Sequence, residues 1–176
     1  MFSKQSGWLL SAIVLLFANS CIVINKSIQP TANPGSIKLI GQYEIPYNLA
    51  YKNTTIGGFS GIDYDKKSNL YYIISDDRSD KNPARYYTVR IYLHEKGIDS
   101  IIFTELKNML QPDGSIYPNN KQNRFLTPDP EAIRYNPVKG KLVWASEGER
   151  IVNEKDTILV NPSITSIHPN GKYINN

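Results

Sequence analysis

The residues best suited to chemistry in this chain are carboxylates that recur at fixed places. Asp76-Asp77 follow Ser75 at the end of one apolar run, and Glu147 follows Ser146 at the end of another. Asp129 and Glu131 open the run that precedes Glu147. Several carboxylates at one mouth repel each other unless they are protonated or bridged by a cation, and an all-oxygen set suits a hard ion such as calcium. A calcium ion there would hold a phosphate and polarise its phosphorus for attack by water. Arg78 and Arg85 add planar, permanently charged forks that suit a phosphate. The expected catalytic residues are therefore Asp76, Asp77, Glu131 and Glu147. Asp77, Asp129 and Glu131 are the expected calcium ligands, and Arg78 and Arg85 the substrate-binding residues.

Each residue also has a plainer role open to it. A Ser-acid pair at a strand end often caps a turn through side-chain to backbone hydrogen bonds. Arg85 can pair with Asp76 or Asp77 as an internal salt bridge. Asp63 and Asp65 flank Tyr64 and are expected to face solvent or form a turn. Other catalytic schemes fit less well. Gly58-Phe59-Ser60-Gly61 lacks the spacing of a nucleophile elbow and precedes a strand, where the elbow needs a strand-to-helix turn. His94 and His168 have no zinc-like spacing and are expected at the surface.

The elements that must bring these acids together show themselves as a repeat. Ser60 to Asp65, Lys66 to Asn69 and Leu70 to Asp76 are echoed without a gap by Glu131 to Asn136, Pro137 to Gly140 and Lys141 to Glu147, at an offset of 71 residues. Each copy reads as a strand, a four-residue turn and a second strand ending in Ser-acid, which is a β-hairpin. A third hairpin is expected from Ser163 to Ile174 around Asn170-Gly171, and further strands at Ile37 to Ile45, Tyr86 to Leu93, Ile98 to Leu106 and Thr157 to Asn161. Tyr71-Tyr72 and Tyr86-Tyr87 should alternate between core and surface. The stretch from Gln111 to Pro130 is nearly all turn and polar residues, so a long loop is expected there.

Repeated hairpins with a shared ending predict an all-β, β-propeller-like architecture, whose blades are four-stranded antiparallel sheets. A typical blade takes about 40–50 residues, so the offset implies one blade plus a large insertion, which the 111–130 loop can supply.

The 176 residues carry 20 Lys and Arg against 16 Asp and Glu, and the small positive balance is spread along the chain. Nucleic acid is not an expected partner, since it would call for a clustered basic stripe. Lys4, the apolar run from Trp8 to Phe17 and the small residues Ala18 to Ser20 follow the order of a secretory signal peptide, residues 1–20. Leu15 to Cys21 resembles a lipobox, so Cys21 is expected either to carry a lipid or to remain a free thiol after cleavage. Export to the periplasm, the cell surface or the outer membrane of a bacterium is expected, with membrane contact only through that anchor. Residues 21–36 read as a linker and 37–176 as the folded part.

Several ordered motifs together carry a family resemblance. They are Gly57-Gly58-Phe59-Ser60-Gly61-Ile62-Asp63-Tyr64-Asp65, Ser75-Asp76-Asp77-Arg78, Pro83-Ala84-Arg85-Tyr86-Tyr87-Thr88, Asp129-Pro130-Glu131-Ala132-Ile133-Arg134-Tyr135, Ser146-Glu147-Gly148, Asn161-Pro162-Ser163-Ile164 and His168 to Lys172. In this order they resemble the phytase-like family, also called "esterase-like activity of phytase", over about residues 37–174. The resemblance implies an exported, metal-assisted hydrolase acting on a small-molecule phosphoester or other ester. It also implies a longer closed propeller, so this chain is expected to be its N-terminal part, with the propeller incomplete at the C-terminus. A non-catalytic binding propeller at the cell surface and an inactive truncated remnant are the alternatives.

Overall fold

The structure is a computed structural model of the chain and describes residue 35, residues 37–152 and residues 157–176. The expected signal peptide and Cys21 lie outside the described residues. The chain divides into two units, Met1–Lys38 and Leu39–Asn176, and every strand among the described residues lies in the second. No helix among the described residues is long and apolar enough to cross a membrane.

Two short strands, β1 (Ala50–Tyr51) and β2 (Thr54–Thr55), form a small hairpin turned by Lys52 and Asn53, both at positive φ. A four-stranded antiparallel sheet follows, with β3 (Phe59–Asp65), β4 (Leu70–Ser75), β5 (Arg85–His94) and β6 (Gly97–Asn108) side by side in chain order. A long excursion, residues 109–129, contains only a 3-10 turn at Arg124–Leu126 and an isolated bridge between Leu110 and Ile116. The second four-stranded sheet has β7 (Pro130–Asn136) and β8 (Lys141–Ser146), then β11 (Ser163–Ile167) and β12 (Tyr173–Asn175), in the order β7-β8-β11-β12. Between β8 and β11 the chain leaves the sheet to form a separate hairpin, β9 (Glu149–Val152) with β10 (Thr157–Val160).

The protein is thus all-β, with antiparallel sheets that do not close into a barrel. The first strands of the two sheets lie together, as the inner strands of neighbouring propeller blades do. Arg134 Nη1 donates to the Ile62 carbonyl at 2.9 Å, and the Tyr135 amide donates to Asp63 Oδ2 at 2.7 Å. Asp63 therefore stitches β3 to β7, where a solvent-facing or turn role was expected. Asp65 does form its turn, accepting from the Lys67 amide and the Ser68 hydroxyl at 3.0 and 2.6 Å.

The repeat holds at the level of register. Phe59 pairs with Ser75 and Pro130 with Ser146, and in both hairpins the register slips before the next pair, Gly61 with Ile74 and Ala132 with Ala145. The turns also correspond. Asn136 caps its turn as Asp65 does, accepting from the Val138 and Lys139 amides. Asn69 and Gly140 take the same left-handed backbone, φ 53 and 59, where glycine carries no Cβ penalty.

Two apolar layers hold the first sheet. Tyr72, Ile74, Tyr86 and Met109 pack with Ile133, Leu142, Trp144 and Ile167 of the second sheet. On the other face, Ile56, Ile73, Tyr87 and Val89 pack with Ile45, Tyr51 and Phe103. Tyr86 and Tyr87 are consequently both buried, because the sheet is covered on both faces and alternation sends them to two cores. The expected strand at Ile37 to Ile45 is absent: the segment forms no ladder, and Ile37, Leu39 and Ile40 are exposed. His94 and His168 are exposed, as expected of surface histidines.

Candidate functional site

The equivalent ends of the two hairpins meet at one mouth. In the first copy the Asp76 amide donates to the Gly58 carbonyl at 2.5 Å, and in the second the Glu147 amide donates to the Asp129 carbonyl at 3.1 Å. Asp76 and Glu147 are thus structural equivalents, and so are Gly58 and Asp129. Glu131 occupies the irregular position of its hairpin, where a bulge re-aims a side chain, and such irregularities are frequent beside functional sites. Ser60 occupies the same position in the first copy, and its hydroxyl donates to the Pro130 carbonyl at 3.0 Å.

These local devices bring Asp76, Asp129 and Glu131 together, with one carboxylate oxygen from each within 4.8 Å of the others. Asp76 is exposed, Asp129 buried and Glu131 half-buried. The crowding shows in their protonation. Burial pushes the Asp129 carboxyl up; Arg78 opposes that rise, while Asp76 and Glu147 add to it. Glu131 is likewise raised, first by burial and then by Asp76, Glu147 and Asp129. Glu147 stands outside the group of three, exposed, yet near enough for its charge to act on two of them.

Asp77 and Arg85, expected as ligand and substrate clamp, are placed elsewhere. Asp77 accepts from the Asp80, Lys81 and Asn82 amides at 3.0 Å each, folding the loop after β4 around its carboxylate. Arg85 is only 2% exposed and donates to Asp77 at 2.7 Å, to the Tyr87 hydroxyl at 2.7 Å and to the Thr55 carbonyl at 3.0 Å. Burial acts to raise the Asp77 carboxyl, but the Lys81 and Asn82 amides and Arg85 outweigh it and hold the group below its ordinary value. The structure shows the internal ion pair open to Arg85, and it is Asp77, not the Asp76 of the Ser-acid pair, that caps the following turn. Their partners are taken up inside the fold, so a ligand would have to displace them.

Arg78 stands at the mouth. Its Nε lies 3.4 Å from an Asp129 carboxylate oxygen, and its Nη1 donates to Glu149 at 2.8 Å. Its Nη2 and Nε are both buried without a hydrogen-bond partner among the described residues. Glu149 and Arg124 were not foreseen. Arg124 donates to the two Glu149 oxygens at 2.6 and 2.5 Å, and with Arg78 it lowers the Glu149 carboxyl to about 2. Arg78 lines two adjoining clefts. One, of about 620 Å³, includes Gly58, Asp76, Lys81 and Asn120; the other, of about 520 Å³, includes Asp129, Glu147, Gly148 and Glu149.

The group of three fits a hard cation by its donor set, because all its ligands are carboxylate oxygens. Two oxygens on opposite sides of one calcium ion stand about 4.6–5.2 Å apart, and the three carboxylate oxygens here, all within 4.8 Å of one another, are no farther apart than that. Fold and site together define an all-β protein of blade-like sheets with an acidic mouth of three converging carboxylates. The family model described as "Phytase-like: Esterase-like activity of phytase" matches residues 54–176, and the chain belongs to that family. No curated protein and no solved structure matches it.

Proposed function

We propose that this protein hydrolyses phosphoesters or related small esters at the mouth formed by Asp76, Asp129 and Glu131, with a calcium ion as cofactor. Membership of the phytase-like family supports a hydrolase at the level of the family. The observation that carries the reading is the meeting of those three carboxylates beside a guanidinium with two buried nitrogens that lack a hydrogen-bond partner among the described residues. Asp76, Asp129 and Glu131 would hold the ion, which supplies positive charge to bind and polarise the ester.

The chain's own residues do the rest. Arg78 offers Nη2 to an anionic oxygen of the substrate. Glu147, exposed at the edge of the group, takes a proton from the attacking water and passes it to the departing alkoxide as its bond to the substrate breaks, so that an alcohol leaves. Asp77 and Arg85 act one layer behind, fixing the loop that presents Asp76 and Arg78. The reading also places the protein outside the cytoplasm, exported by residues 1–20 and held to a membrane by a lipid on Cys21. Replacing Cys21 by Ser should release the protein from the membrane fraction, and unchanged fractionation would overturn the anchor.

Turnover of phosphomonoesters and of carboxylic esters by the full chain, with calcium and with chelator, tests the activity. Calcium-dependent release of product, lost in Asp129→Asn, is expected. Absence of turnover on both ester classes would overturn it.

A further inference from the structure

We propose that Glu149 and Arg124 are positioning residues, which hold the Arg78 guanidinium so that Nη2 receives an anionic oxygen of the substrate beside Asp76, Asp129 and Glu131. The inference rests on the reading of that mouth as an ester-hydrolysing site. Glu149 stands 71 residues after Arg78, the offset of the repeat, on the hairpin between β8 and β11, and Arg124 lies on the 109–129 excursion.

A guanidinium next to a carboxylate ordinarily closes on it as a fork, with two parallel hydrogen bonds. Arg78 does not do so with Asp129. It approaches through Nε alone, at 3.4 Å, and its Nη1 is drawn off to Glu149 at 2.8 Å. Two consequences follow from that one displacement. The Asp129 carboxylate is not consumed by a bidentate ion pair, and Nη2, like Nε, is buried without a hydrogen-bond partner among the described residues, an arrangement that is costly until an acceptor arrives.

Glu149 is able to hold Arg78 because it is itself held. Both of its oxygens accept from Arg124, at 2.6 and 2.5 Å, and its side chain is 8% exposed. Glu149 begins the β9–β10 hairpin, and Arg124 sits on the 3-10 turn of the 109–129 excursion. The same excursion grips the site loop at a second point. Asn119 Nδ2 donates to the Ser79 and Asp80 carbonyls at 2.5 and 3.1 Å, directly after the residues that carry the chemistry. Both segments therefore converge on one guanidinium. The recognised chemistry is a phosphate or similar oxyanion next to a bound cation.

The test is isothermal titration of the full chain with inorganic phosphate, at a calcium concentration below precipitation, for the wild type, Glu149→Gln, Arg124→Ala and Lys121→Ala. Calcium is also titrated alone into each, and thermal midpoints are recorded without phosphate. Phosphate affinity should fall roughly tenfold to a hundredfold in Glu149→Gln and Arg124→Ala, the value of a charge-assisted bond. It should be unchanged in Lys121→Ala, whose side chain is on the same loop but 84% exposed. Arg124→Ala should lower the midpoint, because Glu149 loses its largest partner. Calcium affinity equal to the wild type's, measured well below that midpoint, separates misaimed Arg78 from unfolding, and Arg124→Lys should restore only part of the phosphate affinity because it lacks the fork. Wild-type phosphate affinity in both Glu149→Gln and Arg124→Ala would overturn the positioning role and leave the site reading standing. A wild type that binds calcium but no phosphate would overturn the role of Arg78 while keeping the cation site, and one that binds neither would overturn both.

Discussion

Ser60 and Glu131 stand at the same irregular position of two repeated hairpins, 71 residues apart, and the Ser60 hydroxyl donates to the carbonyl of Pro130, the residue before Glu131, at 3.0 Å. One copy of the repeat thus carries a small hydroxyl that steadies the backbone of the other, while the other carries the acid. Replacing Ser60 by Ala should cost about 0.5–1.5 kcal/mol, the net value of one hydrogen bond, in urea unfolding. It should also weaken calcium binding, because Glu131 loses a support of its backbone. An unaltered calcium affinity would show that the bulge holds Glu131 without Ser60.

Asp77 and Arg85 give the largest expected effect on stability. Removing the Asp77 carboxylate leaves a guanidinium that is 2% exposed without its charge partner and frees three amides of the following loop. Asp77→Ala should destabilise by about 3–5 kcal/mol, the cost of breaking a buried pair from one side. Equilibrium unfolding reads this directly, and a loss below about 1 kcal/mol, the range of surface pairs, would show that the pair is solvated.

Stability should depend on pH in opposite senses at neighbouring acids. Asp129 and Glu131 have folded-state values raised above the ordinary 3.8 and 4.5, so the folded state binds their protons more tightly. Their contribution is present at low pH and is lost as pH rises through the raised values. Glu149 is lowered from 4.5 to about 2, so its contribution is present above 4.5 and is lost as pH falls toward 2. In chelator, the thermal midpoint of the wild type should therefore decline on the alkaline side of the carboxylate range, and Asp129→Asn should remove part of that decline. Calcium should restore the midpoint most at the higher pH, where the carboxylates are ionised. A calcium effect that is the same above and below the carboxylate range would separate the ion from these acids.

Gly148 should not tolerate a side chain. Its φ is +73, and a Cβ there would collide with the Val160 carbonyl oxygen and lie 2.8 Å from Asn161 C and Pro162 N. Gly148→Ala should cost at least about 1–2 kcal/mol from the left-handed backbone alone. It should also displace Glu149, the next residue, and so lower phosphate affinity. A variant of wild-type stability would show that the β9–β10 hairpin shifts freely.

The parts of this protein that are legible in its sequence are those written twice. The Ser-acid endings, the four-residue turns and the strand patterns repeat at one offset, and they locate the hairpins and the acids at their ends. Local pattern does not say which neighbouring acid faces the mouth. Asp76 and Asp77 are adjacent, and only the fold shows Asp77 turned inward to Arg85 while Asp76 meets Asp129 and Glu131. Glu149 and Arg124 escape for a different reason: the residue likeness between the copies ends at Glu147, so that Glu149 stands 71 residues after Arg78 with the opposite charge, and Glu149 and Arg124 meet across 25 residues of chain. A strand was expected at Ile37 to Ile45 from its β-forming residues, yet β propensity reports fitness for a pleated surface and supplies no neighbouring strand to pair with.

Titration of calcium into the full chain, wild type against Asp129→Asn and Glu131→Gln, tests the central claim most directly. One calcium-binding event in the wild type, abolished or weakened by at least about tenfold in both variants and accompanied by a rise in thermal midpoint in the wild type alone, is the predicted result. Calcium binding that is absent from the wild type, or equal in all three proteins, would contradict it.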